Sequence, residues 1–243
     1  MSPQDRAHFL SRFLKRLARQ GSTEEALKFF FMLDNRLYRL ESEISTSHEK
    51  GIHPKHRITR YHEFFVSNLE PGDSVLDVGS GRGYLAYQMV SRVNGVHVLG
   101  MESNPKYIDY AHEHYRHPHL KFVHADALKA LPQDHFQVVT LSNVLEHLPE
   151  RSRFLKRVIT QVQPRKFIIR VPQYDRDWRV ALKDEIGVDS RLNEGHTVEY
   201  TKDRLLSELK EVELEVSRLE FSWGEIWAVA RPQKISEDVS HLA

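Results

Sequence analysis

The feature that most constrains this chain is a set of three glycines at alternate positions, Gly79, Gly81 and Gly83. They follow a short apolar run, residues 74–78, and precede residues 84–90, which have the apolar spacing of an amphipathic helix. Glycine permits positive φ angles and lets a backbone approach a ligand closely. Since the first turn of a helix also offers unpaired N–H groups, the segment predicts a strand, a ligand-binding loop and a helix.

Short apolar runs and helical stretches alternate from residue 74 onward. The predicted strands are residues 74–78, 96–100, 120–124, 136–141, 167–171, 214–221 and 226–230. The predicted helices are residues 84–90, 105–115, 151–161 and 201–209. This order predicts an α/β fold with a doubly wound, seven-stranded sheet. Its last two strands form a tight hairpin, which places antiparallel pairing at one side of an otherwise parallel sheet.

Residues 1–65 have a different pattern and predict an N-terminal helical extension. Apolar residues recur there at helical spacing, and Ser22 with Glu25 fits a capping box after the break at Gly21. The extension is expected to serve as a lid or a dimerisation arm that makes a homodimer, or to be a simple embellishment. Residues 66–232 form the predicted α/β domain, and residues 233–243 a polar tail.

Composition excludes several classes of site. The 243 residues contain no cysteine, so thiolate metal sites, disulfides and cysteine nucleophiles are ruled out. No run approaches 18 apolar residues, and the basic N-terminus has no continuous apolar core typical of a secretory signal. A formal net charge of +1 does not indicate a nucleic-acid partner. A cytoplasmic protein is expected.

Polar residues follow three further predicted strands. Glu102 lies at the end of the second strand, Asp126 after the third and Asn143 after the fourth. A carboxylate after the second strand can accept hydrogen bonds from both ribose hydroxyls of an adenosine-type ligand. The glycine spacing is G-x-G-x-G, which is neither the dinucleotide fingerprint nor a P-loop.

The four segments VLDVGSGRGYLA, GMES, HADAL and VVTLSNVLEHLP together resemble the class I S-adenosylmethionine-dependent methyltransferases. The resemblance covers about residues 55–230 and implies a Rossmann-like fold with S-adenosylmethionine as methyl donor and S-adenosylhomocysteine as product. The LEHLP segment is similar to the small-molecule branch that includes ubiquinone and sugar O-methyltransferases. The lead-in around His53–Phe65 is similar to methyltransferases of surface-polysaccharide gene clusters.

The resemblance also implies which residues bind the donor. The glycine loop would hold its methionine part, Glu102 its ribose and Asp126 with Ala127 its adenine, while Asn143 would line the pocket. The complete predicted donor set is Arg57, Gly79, Ser80, Gly81, Gly83, Glu102, Ser103, Asp126, Ala127 and Asn143. Arg57 is included because a cation just before the loop can meet the donor carboxylate or an acceptor phosphate.

Methyl transfer to a hydroxyl requires removal of a proton, and histidine is the natural base near neutral pH. His196 is the first candidate, oriented by Glu199 or Glu194, because it lies in the long connection after the fifth strand. His147 is the second. Glu146 and His147 are adjacent and could face a divalent ion, but two neighbours do not define a coordination set, so no metal is expected.

Cations and aromatics in the same connection suggest an anionic acceptor. They could cradle a sugar phosphate, a nucleotide sugar or a polysaccharide, and the residues are Arg170, Tyr174, Arg176, Trp178, Arg179 and Lys183. The sequence therefore favours O-methylation of a small molecule, sugar or surface polysaccharide. RNA or protein methylation is the alternative within enzymes, and a non-catalytic donor-binding scaffold is the alternative outside them.

Overall fold

We describe the chain from a computed structural model that covers residues 1–49 and 52–233. The helices are α1 (Pro3–Leu17), α2 (Thr23–His48), α3 (Lys55–Thr59), α4 (His62–Ser67), α5 (Tyr84–Arg92), α6 (Pro105–His114), α7 (Arg151–Val162), α8 (Trp178–Glu185) and α9 (Lys202–Glu211). The strands are β1 (Ser74–Val78), β2 (His97–Glu102), β3 (Leu120–His124), β4 (Val138–Ser142), β5 (Lys166–Pro172), β6 (Leu214–Ser222) and β7 (Glu225–Pro232).

The chain divides into two compact units. The helical unit consists of Met1–Ile58 together with Asp177–Glu194, and the sheet unit consists of Thr59–Arg176 and the chain from Gly195 onward. The helical unit thus has two parts that are distant in sequence. The extension is predicted to run continuously to residue 65, whereas α4 belongs to the sheet unit. Whether the helical unit is a lid or a dimerisation arm stays a prediction.

Within the helical unit, α2 begins at the predicted capping box. The Ser22 hydroxyl accepts a hydrogen bond from the Glu25 N–H at 3.1 Å, and the Glu25 carboxylate accepts one from the Ser22 N–H at 2.8 Å. These two bonds satisfy backbone donors that have no partner inside the helix. The start of the long second helix is therefore encoded locally.

The second segment of the helical unit is held to α2 by a buried ammonium group. Lys183 on α8 donates to Asp34 at 2.8 Å and to Asn35 at 2.7 Å, and its Nζ lies 5.5 Å from the ring centre of Phe31. The Asn35 side-chain amide also donates to the Asp189 carbonyl at 2.7 Å. Polar contacts between distant parts of the chain therefore define this unit.

In the sheet unit, the described residues form a seven-stranded sheet in the order β3-β2-β1-β4-β5-β7-β6. Strands β1 to β5 pair in parallel, and β7 pairs antiparallel with both β5 and β6. The predicted fold class, including the C-terminal hairpin that inserts one antiparallel strand, is confirmed. The carboxyl ends of the five parallel strands share one edge, where this class of sheet binds ligands.

Successive residues of the buried strands face opposite sides of the sheet, as the period of a strand requires. On β1, Val75 belongs to the core cluster on one face and Leu76 to the cluster on the other. Phe64 and Phe65 of α4 pack into the first of these clusters and are 3% and 0% exposed. This burial explains why α4 belongs with the sheet and not with the preceding helices.

Two short helices were not predicted. Helix α8 lies in the stretch interpreted as a long connection, because its eight residues carry four charged side chains and offer a narrow apolar stripe. Helix α3 lies within the lead-in His53–Phe65, a stretch rich in basic and histidine residues. Both are too short for sequence propensity alone to specify them, so contacts with the rest of the unit decide their structure.

The predicted polar tail, residues 233–243, lies outside the described residues apart from Gln233. Among the described helices, none has the length and hydropathy needed to cross a membrane.

We predict that Phe65→Ala lowers the free energy of unfolding by about 3–5 kcal/mol, the range for removing a fully buried aromatic ring. Phe221→Ala, at a ring that is 49% exposed on β6, is the matched control and should cost less than about 1 kcal/mol. Urea unfolding followed by far-UV circular dichroism measures both. Equal losses in the two variants would contradict the placement of α4 in the core.

Candidate functional site

The loop after β1 is held by backbone hydrogen bonds to the end of β2. The N–H groups of Gly79 and Ser80 both donate to the Met101 carbonyl, at 2.8 and 3.1 Å. Gly83 takes a φ of +86° immediately before α5. The loop therefore occupies the carboxyl end of β1, as the sequence predicted.

The three loop glycines are required for different reasons. A Cβ at Gly79 would lie 2.7 Å from the Val144 side chain, and one at Gly83 would lie 2.6 Å from Phe122. These two glycines are needed for packing as well as for their positive φ angles. At Gly81, with φ +56°, a Cβ would meet nothing within 4 Å. The missing side chain there leaves open space directly beside the loop.

Glu102 ends β2 beside this loop. Its carboxylate accepts hydrogen bonds from the Gly81 N–H at 3.0 Å and the Asn104 N–H at 2.8 Å, and the Ser103 hydroxyl lies 3.4 Å away. An ionised carboxylate has about four acceptor sites, so capacity remains for a ligand. The predicted neighbourhood of loop and acidic residue is present, and the same carboxylate also fixes the loop.

Asp126 and Ala127 lie just after β3, which is separated by β2 from β1, the strand that carries the glycine loop. The Asp126 carboxylate accepts from the Leu128 N–H at 2.9 Å and pairs with Lys129 at 3.5 Å. The Ala127 carbonyl accepts a hydrogen bond from the Arg157 guanidinium. Local bonds therefore shape this turn, and the adenine role of the two residues stays a prediction.

Two predicted donor-site residues have unsatisfied polar atoms. The Ser80 hydroxyl and the Asn143 side-chain oxygen are buried, without a hydrogen-bond partner in the part of the chain that the structure describes. Asn143 has a φ of +56°, and its N–H donates to the Arg170 carbonyl at 2.8 Å. Buried polar atoms normally have partners, so these two are suited to a bound ligand.

Sequence reasoning missed a buried polar pair beneath the loop. Asp77 on β1 is 1% exposed, and Thr140 on β4 donates to its carboxylate at 2.6 Å. Burial raises the pKa of Asp77 to about 7, although the hydrogen bond from Thr140 acts in the opposite direction. The signal in the sequence was a threonine inside the otherwise apolar run of the fourth strand.

The candidate base His196 is buried and oriented by a carboxylate. Its Nδ1 lies 3.3 Å from a carboxylate oxygen of Glu199, and the other oxygen of Glu199 pairs with Arg176. The structure therefore brings His196 and Glu199 together. Glu194, the alternative partner, pairs with Arg39 at 2.5 Å within the helical unit. The Arg176 contact could not be read from sequence spacing.

The second candidate, His147, lies beside the first. The two imidazole rings meet edge to face with centres 4.7 Å apart, and the His147 Nδ1 lies 3.2 Å from the Gly195 carbonyl oxygen. Although part of the side chain is exposed, partial desolvation of its ring lowers the pKa of His147, which favours the neutral ring. Since a carbonyl oxygen only accepts, Nδ1 carries the proton and Nε2 the lone pair.

Glu146, adjacent to His147, is fully buried. Neither of its carboxylate oxygens has a hydrogen-bond partner among the described residues, and burial raises the pKa of Glu146 to about 8. Its backbone carbonyl accepts from the Thr197 N–H at 2.7 Å, which fixes the loop carrying His196 against the turn carrying His147.

Glu146, His147 and His196 form a cluster that could hold a metal ion. One ligand atom from each residue lies within 4.8 Å of the others. The sequence placed only the adjacent pair Glu146 and His147 together, and the expectation that no metal binds rested on that pair. The structure supplies His196 as a third potential ligand.

Arg57 lies in the helical unit, where it pairs with Glu49 at 2.6 Å. Its assignment to the donor site stays a prediction.

The cations expected to cradle an anionic acceptor all have carboxylate partners within their own units. Those partners are Glu225 for Arg170, Glu199 for Arg176, Asp177 and Asp34 for Arg179, and Asp34 for Lys183. An anionic acceptor would have to share these cations with the carboxylates. Binding of an anionic acceptor by these residues therefore stays a prediction, because the observed carboxylates compete with the acceptor for the same cations.

Comparison with known proteins finds similarity to methyltransferases. Residues 75–165 match a family model described as a methyltransferase domain. The ubiquinone biosynthesis O-methyltransferase of Albidiferax ferrireducens is 32% identical over 123 residues, 48% of each chain. The ribosomal RNA small subunit methyltransferase A of Dehalococcoides mccartyi is 32% identical over 70 residues, 28% of this chain and 23% of the relative. The chain thus spans about half the length, or less, of these curated relatives.

Among solved structures, magnesium protoporphyrin IX methyltransferase from Synechocystis with bound S-adenosylhomocysteine is similar in fold. Its TM-score is 0.56 at 18% identity, over 74% of this chain and 83% of that chain. The matched residues 75–165 include the glycine loop, Glu102 at the end of β2 and Asp126 after β3. By this match, residues 75–165 contain a methyltransferase domain, and the solved structure shows a similar fold.

Proposed function

We propose that this chain transfers the methyl group of S-adenosylmethionine to a hydroxyl of a small molecule, sugar or surface polysaccharide. The observation that carries the proposal is the position of the His196–Glu199 pair. It lies against the turn after β4, at the same edge of the sheet as the glycine loop. The proposed donor site and a histidine suited to take a proton would thus lie at the same edge of the sheet.

The reaction is a direct displacement. The acceptor oxygen forms a bond to the methyl carbon while the bond from that carbon to the donor sulfur breaks, which releases S-adenosylhomocysteine. The hydroxyl proton passes to His196, whose Nδ1 is held by Glu199, so the lone pair of Nε2 serves as the base. The Glu199 carboxylate stabilises the imidazolium that results, and Arg176 holds that carboxylate in place.

The donor would lie across the loop and the end of β2. The open space at Gly81 suits the methionine part, and the Glu102 carboxylate retains acceptor capacity for the ribose hydroxyls. Asp126 and Ala127 would then face the adenine. The buried oxygens of Ser80 and Asn143 would gain hydrogen-bond partners from the ligand. The donor itself supplies the reactive carbon.

RNA methylation is the second candidate function. It is motivated by the likeness to a ribosomal RNA methyltransferase and by residues 1–20, which carry five basic side chains against one Asp. Against it, the segment after β4 lacks the [DN]-P-P-[YFW] motif with which enzymes clamp a planar base amine. A gel shift with RNA at rising salt tests this alternative. An RNA-binding protein should shift RNA at low salt and lose it steeply as salt rises, because phosphate contacts weaken with salt.

The proposed activity is tested by incubating the full chain with methyl-labelled donor and fractionated cell extract. We expect label in a small-molecule or glycan fraction as an alkali-stable methyl ether. Label in RNA or protein would favour the alternative enzymes. Donor binding with no labelled product in any fraction would favour a non-catalytic donor-binding protein.

We predict that Gly81→Ala weakens binding of S-adenosylhomocysteine at least tenfold, equivalent to about 1.4 kcal/mol, because the new methyl group enters the space beside the loop. Gly72→Ala is the matched control. Gly72 also has a positive φ, +85°, and a Cβ added there would meet nothing within 4 Å, but it lies before β1 at the opposite edge. Both variants suffer the left-handed strain of about 1–2 kcal/mol in folding.

Titration calorimetry with S-adenosylhomocysteine measures the two dissociation constants. Similar affinities in Gly81→Ala and Gly72→Ala would remove the loop from the donor site.

We predict that His196→Ala lowers turnover by about 10²–10⁴ while donor affinity stays within a factor of about two, because a base acts on the acceptor proton and not on the donor. His97→Ala is the control, since His97 is exposed at the start of β2. Turnover and donor binding are measured on the same preparations. Nearly normal turnover in His196→Ala would transfer the role of base to His147.

A further inference from the structure

The carboxylate of Glu146 differs from the other buried carboxylates of the sheet unit. Other deeply buried carboxylates of the sheet unit have a partner on at least one oxygen: Asp77 accepts from Thr140, Asp73 pairs with Arg165, and Glu199 pairs with Arg176. Glu146 is 0% exposed, and no described residue bonds either of its oxygens. An ionised carboxylate in that position carries a large desolvation cost unless a cation or donor accompanies it.

Both neighbouring imidazoles are fixed through the same nitrogen. The Nδ1 of His147 faces the Gly195 carbonyl, and the Nδ1 of His196 faces the Glu199 carboxylate. A backbone carbonyl and a carboxylate are the usual outer partners of metal-binding histidines, because they select the tautomer whose Nε2 lone pair is available. Two histidines with this arrangement lie next to a carboxylate that no described residue bonds. Together they offer two nitrogens and one oxygen as potential metal ligands.

Thr197 holds this set of potential metal ligands in place. Thr197 donates to the Glu146 carbonyl through its N–H, at 2.7 Å, and through its hydroxyl, at 3.0 Å. Its hydroxyl also lies 3.1 Å from the Leu148 carbonyl. The loop with His196 is therefore pinned to the turn with Glu146 and His147. Because His147 is exposed while the other two residues are buried, the cluster has one side open to solvent.

We propose that Glu146, His147 and His196 bind a divalent transition-metal cation of the zinc class, with at least one coordination position open to the acceptor hydroxyl. Two imidazoles and one carboxylate suit Zn²⁺, Co²⁺ or Mn²⁺ and are a poor match for Mg²⁺, which prefers oxygen ligands. The catalytic role of the cation rests on the proposed methyl transfer, whereas binding of the cation does not.

The present separation of the ligand atoms is somewhat larger than a bound metal requires. The atoms lie within 4.8 Å of one another, whereas tetrahedral ligands at 2.0–2.2 Å from zinc are about 3.4 Å apart. The ligands must therefore draw together by up to about 1.4 Å on binding. His147, on the exposed side, is the residue with most freedom to do so.

A bound cation would change the part that His196 plays. Its Nε2 would be a ligand and no longer the base, and the cation would lower the pKa of the coordinated hydroxyl. The hydroxyl proton would leave to solvent water through the open side at His147, and the resulting alkoxide oxygen would attack the methyl carbon. The products and the displacement are unchanged.

The test is direct metal binding by the full chain, with neither donor nor acceptor present. The protein is treated with a chelator, dialysed, and titrated by calorimetry with Zn²⁺, and separately with Co²⁺ while visible absorption is recorded. We expect one equivalent of each cation to bind, with cobalt bands in the visible range that report nitrogen ligands in a coordination number below six. Mg²⁺ should bind at least a hundredfold more weakly.

Three single variants test the ligands: Glu146→Gln, His147→Ala and His196→Ala. Each should weaken Zn²⁺ binding at least tenfold and change the cobalt spectrum. His97→Ala and His119→Ala are matched controls, because these two imidazoles also contact each other, with ring centres 4.0 Å apart, but do not belong to the cluster. Far-UV circular dichroism and binding of S-adenosylhomocysteine verify that each variant is folded.

Absence of a one-to-one site, or Zn²⁺ affinity that survives Glu146→Gln and His147→Ala but falls in His97→Ala, would overturn the proposal. Tighter binding of Mg²⁺ than of Zn²⁺ would overturn the assignment to imidazole ligands. The proposed function fails independently of these results. Methyl transfer that persists after chelation supports His196 as base and contradicts the catalytic role of the metal, whereas metal binding without methyl transfer in any extract contradicts only the proposed function.

Discussion

The contact between the Glu102 carboxylate and the Gly81 N–H is the constraint on which the candidate site depends. One oxygen of Glu102 holds the glycine loop, and the other caps the turn at Asn104 that begins α6. A single side chain thus fixes the end of β2, the loop after β1 and the start of the next helix. Because all three are determined by one carboxylate, a ligand that binds Glu102 meets a loop already in position. Such preorganisation reduces the entropy lost on binding.

The parallel sheet concentrates polar chemistry at one edge. Four of the parallel strands end in residues whose backbone or side chain does more than pack: the glycine loop after β1, Glu102 on β2, Asp126 after β3 and Asn143 after β4. The opposite edge carries turns such as the one at Gly72. The histidine cluster joins the same edge because the chain returns from the helical unit at Gly195 and bonds to the turn after β4. Residues far apart in sequence therefore meet where the strands end.

The strands and the glycine loop could be predicted because their signals are local. Buried parallel strands appear as short apolar runs, and G-x-G-x-G between a strand and a helix is typical of a loop that approaches a ligand closely. The predicted range of β3 matches the observed strand, and the predicted capping box at Ser22 is present. The positions of Glu102, Asp126 and Asn143 follow from the same logic, since a residue at the carboxyl end of a parallel strand lies at the edge where such sheets bind ligands.

That His196 joins Glu146 and His147 in one cluster could not be predicted, for a physical reason. His196 and His147 are brought together by hydrogen bonds that span about fifty residues, such as Thr197 to the Glu146 carbonyl, and no spacing rule encodes such a pairing. Helix α8 was missed for a similar reason, because Lys183 is held by partners on α2. Sequence patterns report local periodicity and strand ends. They do not report which loops fold back on each other.

The ammonium group of Lys183 has a consequence for any attempt to shorten the protein. A chain that begins at Thr59 would retain residues 177–194 but lose Asp34 and Asn35, the two acceptors of that ammonium, and the ring of Phe31 beneath it. The retained segment would then expose apolar surface and an unmatched cation. The N-terminal helices and residues 177–194 therefore depend on each other to fold, although they are distant in sequence. A shortened chain must lack both segments or keep both.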